Sequence, residues 1–251
     1  MSALASEIKK IPPVTRFLIG SSLGITVSAI LQLVSPYRLF YVTELVFKKF
    51  ELWRLYTSFF YGGGGFQYIF DFVMLYQNSN AVESSHFMAR SADYAWQLIF
   101  ANAFIVALNI PLKSAIFTRP LLVCIIYLHS RLSPPGAQTS FYGILTLPLT
   151  YYPFIIIFID LVVGGPHAAA MSVTGAIAGH AWWWGVYDTR VLAEFAKPPR
   201  WLQQLVDGEP DAGSASGGAG GVHVVPPRDR IPVRDSVLGH KWGSGNRLGS
   251  G

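Results

Sequence analysis

The apolar positions of this chain come in long blocks rather than in strict alternation. A membrane-crossing helix needs roughly 20 mostly apolar residues, and six blocks approach that length. They lie at about 15–35, 66–82, 93–112, 114–130, 141–163 and 167–187. Pro12 and Pro13 precede the first block, and Pro148 and Pro153 fall inside the fifth. The pattern predicts an all-α membrane protein, a six-span helical bundle over residues 15–189. Residues 1–14 stand before it and 190–210 form a juxtamembrane segment, where "PPRWLQQLV" reads equally as a surface-lying helix or a loop. The last segment, 211–251, opens within "GEPDAGSASGGAGG", a flexible-linker composition. The tail beyond it has too few large apolar residues to fold alone, and disorder is expected there.

Composition agrees with the block pattern. Of the 251 residues 51% are hydrophobic and 13% charged, against about 25% charged in soluble domains. The net charge of +5 is spread along the chain with no basic run interleaved with aromatics, so nucleic acid is not an expected partner. The single cysteine, Cys124, excludes an intrachain disulfide. No cleaved signal peptide is read at the N-terminus, and the first span is expected to act as its own insertion signal. Six spans place both termini on one side, together with Lys9, Lys10, Arg16, Arg90, Arg131, Arg190, Lys197 and Arg200. The other side holds Arg38, Lys48, Lys49, Arg54 and Lys113. The positive-inside rule then makes the termini cytosolic.

Between the first two spans runs an amphipathic, aromatic-rich loop, "SPYRLFYVTELVFKKFELWRLYTSFFYGGGG". Such a loop prefers the membrane interface to water. Trp53 is expected to anchor at headgroup depth, and Arg54 to donate to carbonyls or lipid phosphate. A generic aromatic belt is the plainer reading. Several polar residues fall within the spans: Asp71, Gln77, Asn78, Asn102, Asn109 and Asp160. A charge at mid-bilayer costs about 3 kcal/mol on insertion scales, so these should face protein or a wet cavity. Asp71 is expected near the end of its span, bonding to loop backbone. Gln77 and Asn78 are read as cavity-lining. The clearly apolar part of that span, Phe66 to Tyr76, makes only about 16 Å of helix, and a short apolar element thins the bilayer around it.

The residues "WRLYTSFF", "GGGGFQYIFDFVMLY", "ESSHFMARSADY", "IIYLHSRLSP", "FYGILTLPLTYYPFIII" and "GAIAGHAWWW", in this order, resemble the Derlin family, the proteolytically dead branch of the rhomboid superfamily. The resemblance covers about residues 10–200 and implies a rhomboid-like bundle in the endoplasmic reticulum membrane. Trp53-Arg54 matches the family's first-loop signature, and Gly175 and Gly179 match its sixth-span glycine motif, which also allows close helix approach. The implied function is moving misfolded proteins to the cytosol for degradation, with misfolded substrates, a ubiquitin-ligase complex and membrane lipid as partners.

An active rhomboid protease, the enzymatic alternative, needs a serine in Gly-x-Ser-Gly activated by a histidine. The spans carry no such motif: the fragment at 139–143 puts Phe141 and Tyr142 between Ser140 and Gly143, and Ser172 stands where the histidine would be. His180 is expected to make a structural hydrogen bond rather than to carry protons. A small-solute channel is the third reading, with no repeat or ion site to support it. No cofactor or metal is expected. In the tail, "WGSGNRLG" at 242–249 resembles the SHP box with which some Derlins recruit a hexameric AAA+ unfoldase, valosin-containing protein. That resemblance implies Trp242 and Leu248 as apolar anchors, Gly243 and Gly245 as backbone-contact positions, Arg247 as a rim charge and Gly249 as the motif's end. Asn246 departs from boxes that carry an aromatic there.

Overall fold

The structure, a computed structural model, describes residues 6, 8, 10–141 and 145–208. Helices dominate them. In chain order they run α1 (Pro13–Ile30), α2 (Thr43–Lys49), α3 (Trp53–Phe60), α4 (Phe66–Ser85), α5 (Ser91–Asn109), α6 (Thr118–Leu132), α7 (Tyr152–Trp183) and α8 (Arg200–Val206). A two-stranded hairpin, β1 (Gln138–Phe141) and β2 (Leu145–Pro148), stands between α6 and α7.

The innermost element is α6. Every residue from Leu121 to Leu128 is buried, as expected of a helix apolar on all sides. With 15 residues it is only about 22 Å long. It packs against α4 and against most of α7. The fourth block was expected to span over 114–130; the helix occupies Thr118–Leu132 and is shielded by its neighbours rather than by lipid.

Glycine divides α7. Gly165 has φ 77, a left-handed backbone that favours glycine, and Pro166 follows it. The hydroxyl of Ser172 donates to Asp160, yet 12 residues of straight helix would separate them by about 18 Å. The chain therefore folds back at Gly165 into two legs, residues 152–164 and 166–183. The fifth predicted block is corrected at its start. Gln138–Phe141 and Leu145–Pro148 pair antiparallel with Ser140 opposite Thr146, and the helix begins only at Tyr152. Pro148 cannot sit in a helix interior, whereas Pro153 falls in the first turn of α7, where proline is tolerated.

Three described stretches are long and apolar enough to cross a membrane: Pro13–Ile30, Ser91–Asn109 and Leu149–Asp188, the last containing both legs of α7. Their outer surfaces carry Leu23, Ile99, Phe104, Phe158, Val162 and Ile177 to the exterior. An apolar exterior of that extent is a membrane-facing surface.

Candidate functional site

At the end of the bundle where α1 begins, polar side chains are buried together. Pro12 precedes α1 and offers no side-chain cap, so the first N–H groups of the helix need other partners. Glu83, from the far end of α4, supplies them. Its carboxylate accepts the N–H of Val14 at 3.0 Å, the N–H of Thr15 at 2.7 Å and the Thr15 hydroxyl at 2.7 Å. Ser79 continues the network to Thr15 (2.9 Å) and to the Tyr94 hydroxyl of α5 (3.0 Å). Beside it, α5 starts after Arg90 with no local side-chain cap. Here Asp207, just after α8, accepts the N–H of Ala92 at 3.1 Å. Burial pushes the Asp207 carboxyl above its ordinary range, while its bonds to backbone N–H groups pull the other way. The sequence reading did not single out Glu83; its signal was a carboxylate close to two apolar blocks with no basic neighbour.

Deeper in, Arg119 of α6 ties three elements. Its Nε donates to both carboxylate oxygens of Asp160 at 3.0 Å, and Nη1 reaches Asp71 of α4. Ser172 adds a bond to Asp160 from the second leg of α7, and Gln67 donates to Asp71 at 3.0 Å. Forked arginine–carboxylate bonds are strong, and in an apolar surrounding either acid alone would be costly. The expectation that Asp71 bonds to loop backbone is corrected: its partner is Arg119. Two acids and one arginine inside predicted spans could have flagged this triad, but Arg119 was missed. The Ser172 hydroxyl is thus held by the Asp160 carboxylate.

Asn78 and Gln77 part company. Asn78 is buried, donates to the Met74 carbonyl at 2.8 Å and bonds His129 Nδ1 through Oδ1 at 2.9 Å. Its polar atoms are spent on α4 and α6, which corrects its reading as cavity-lining. Gln77 is exposed on the outer face. His180 Nδ1 lies 2.7 Å from the Tyr127 hydroxyl, which also accepts from Arg131 Nε at 3.0 Å. The α6–α7 seam below them is close. A Cβ on Gly175 would lie 2.1 Å from the Pro120 carbonyl oxygen, and one on Gly179 3.1 Å from that of Cys124.

In the first loop Arg54 turns inward. It is 8% exposed, donates from Nη1 to the carbonyls of Tyr37 (2.8 Å) and Phe40 (3.1 Å), and pairs with Glu51. Arg54 is thus a staple of the loop's own fold, while its neighbour Trp53 stays exposed. Trp242, Gly243, Gly245, Asn246, Arg247, Leu248 and Gly249 lie outside the described residues.

A cavity of about 400 Å³ opens at the same end as Glu83's network. Gln97 of α5, Trp182 and Tyr187 near the end of α7, Arg90, Asp93 and Lys197 contribute to its walls.

Comparison with known proteins gives a consistent set of likenesses. The model of the Der1-like family matches residues 11–190. A probable derlin-2 homolog of Dictyostelium discoideum is 32% identical over 211 residues, 80% of this chain and 82% of that one. Derlin-1 of Arabidopsis thaliana is 31% identical, covering 82% of this chain and 78% of its own. Derlin-1 of Homo sapiens is 26% identical over 258 residues, 99% of each chain.

Proposed function

Because this chain belongs to the Der1-like family, we propose that it is a non-catalytic factor of the endoplasmic reticulum membrane that helps misfolded proteins cross to the cytosol for degradation. In this reading α1, α4, α5, α6 and the two legs of α7 each cross the bilayer, and both termini are cytosolic. Cargo then leaves on the side where the tail can recruit a AAA+ unfoldase.

One observation carries the mechanism. Apart from exposed Gln67 at its start, the outer face of α4 is apolar from Phe66 through Ile69, Phe70 and Val73 to Tyr76, and then turns to exposed Gln77, Ser84 and Ser85. About 16 Å of apolar surface faces a hydrocarbon layer of roughly 30 Å. The bilayer meets such a mismatch by thinning. Thinned lipid lowers the barrier for a polar chain to pass. The non-catalytic reading rests on the spans, whose sequence carries no Gly-x-Ser-Gly motif.

The test is to lengthen the apolar face. Gln77→Leu, Ser84→Leu and Ser85→Leu together alter only exposed positions. Expressed in cells depleted of the native family member, the triple variant should reach normal levels yet clear a misfolded membrane substrate more slowly. Clearance at the wild-type rate would remove thinning at α4 from the mechanism.

A further inference from the structure

We propose that the cavity beside Arg90, Gln97 and Trp182 binds the phosphate-bearing headgroup of an anionic phospholipid. The inference is independent of whether the chain moves polypeptides.

Its volume, about 400 Å³, falls in the range of small-molecule sites. Two of its wall residues hold buried donors with no partner, Gln97 Nε2 and Trp182 Nε1. Buried polar groups nearly always find a partner, and an indole N–H can only donate. An occupant that reaches them must supply acceptors. The walls carry two cations, Arg90 and Lys197, against one acid, Asp93. Arg90 sits 3.6 Å from Asp93 with 62% of its side chain exposed, and Lys197 holds an exposed partner, Glu194. Arg90 also reaches the His86 carbonyl, at a long 3.5 Å; exposed contacts of this kind contribute little, so both cations can turn to a stronger anion.

The surroundings choose the source of that anion. Trp184, Phe195 and Trp201 are exposed on the elements that build the cavity, and Trp marks the depth of lipid headgroups. A phospholipid would place its phosphate among the donors and its acyl chains along these rings. Basic pockets between membrane helices bind anionic headgroups in this manner. Free phosphate would use the donors and leave the aromatic flank without a role.

The full chain would be reconstituted in phosphatidylcholine nanodiscs containing phosphatidylinositol, and retained lipid counted by native mass spectrometry. Two variants separate binding from folding. Arg90→Gln with Lys197→Gln alters exposed charges only. Trp182→Phe keeps a ring to stack on Phe100, 5.3 Å away, and removes the N–H. Each should retain phosphatidylinositol roughly tenfold less well, as expected for losing a bond to a charged group, with phosphatidylcholine retention and melting temperature unchanged. Equal retention of both lipids by the wild-type chain overturns the proposal, and so does undiminished retention by both variants. Displacement of the lipid by inorganic phosphate at equal concentration overturns the lipid as its natural occupant.

Discussion

The carboxylate of Glu83 closes the N-terminus of α1, accepting the N–H of Thr15, 68 residues earlier, at 2.7 Å. A negative group there also meets the positive end of the helix dipole. Glu83→Ala would leave the N–H groups of Val14 and Thr15 unpaired in a buried site. It should lower stability by about 3 kcal/mol, read as a fall in the detergent melting temperature. Glu83→Gln, which keeps an acceptor, should lose less. A melting temperature unchanged by the alanine variant would show that this cap does not hold α1.

Gly175 and Gly179 should not be equivalent. A methyl at Gly175 meets the Pro120 carbonyl oxygen at 2.1 Å, where backbone must move; at Gly179 the nearest approach is 3.1 Å. Gly175→Ala should therefore cost about 2 kcal/mol or more, within the usual cost of overpacking, and Gly179→Ala clearly less. Valine at either position should lower the steady-state level of the protein. Equal melting temperatures for the two alanine variants would contradict the geometry.

Trp53 and Arg54 should separate by experiment. Arg54→Ala removes the staple to Tyr37 and Phe40 and leaves Glu51 without its partner, so the loop should become sensitive to protease. Trp53→Ala removes an exposed ring and should leave protease resistance intact while slowing substrate clearance in cells. Arg54→Lys should rescue only in part, since an ammonium lacks the planar fork. Identical protease patterns for wild type and Arg54→Ala would refute the staple.

Asp207 should give α8 a pH-dependent hold on α5. Its folded-state pKa is raised from 3.8, chiefly by burial. A raised acid contributes stability below its unfolded value and loses it as pH rises through the folded one. Asp207→Asn keeps an acceptor for Ala92 and should flatten the fall in stability as pH rises from about 4. Hydrogen exchange at the start of α5 would report it; the same pH dependence in the variant would assign it to another group.

A peptide of residues 230–251 should bind the hexameric unfoldase. Trp242→Ala and Leu248→Ala should each cost about 2 kcal/mol or more, as apolar anchors commonly do. Arg247→Ala should cost at most about 1 kcal/mol and least at high salt. Truncation at Gly239 should leave membrane insertion intact. A wild-type peptide that fails to bind at high micromolar concentration would end the unfoldase reading.

The sequence by itself determined the class and most of the elements. Long apolar blocks read as helices, and α1, α4, α5, α6 and both legs of α7 begin or end within several residues of where the blocks place them, while three described stretches are long and apolar enough to cross a membrane. The glycines of the sixth block were legible because only a small residue admits another backbone so closely. The strand pair of Gln138–Phe141 with Leu145–Pro148 was not, since Leu145, Leu147 and Leu149 merge with the apolar run of the helix that follows. Nor were the long-range partners. The sequence places Asp71 and Asp160 within apolar blocks, where each must face protein or a wet cavity, but only folding brings Arg119 between them. Pro12 and Arg90 leave two helix N-termini without local caps, and the carboxylates that serve them come from 68 and 115 residues away. Local pattern records what a residue must bury or satisfy; the packed bundle decides with whom.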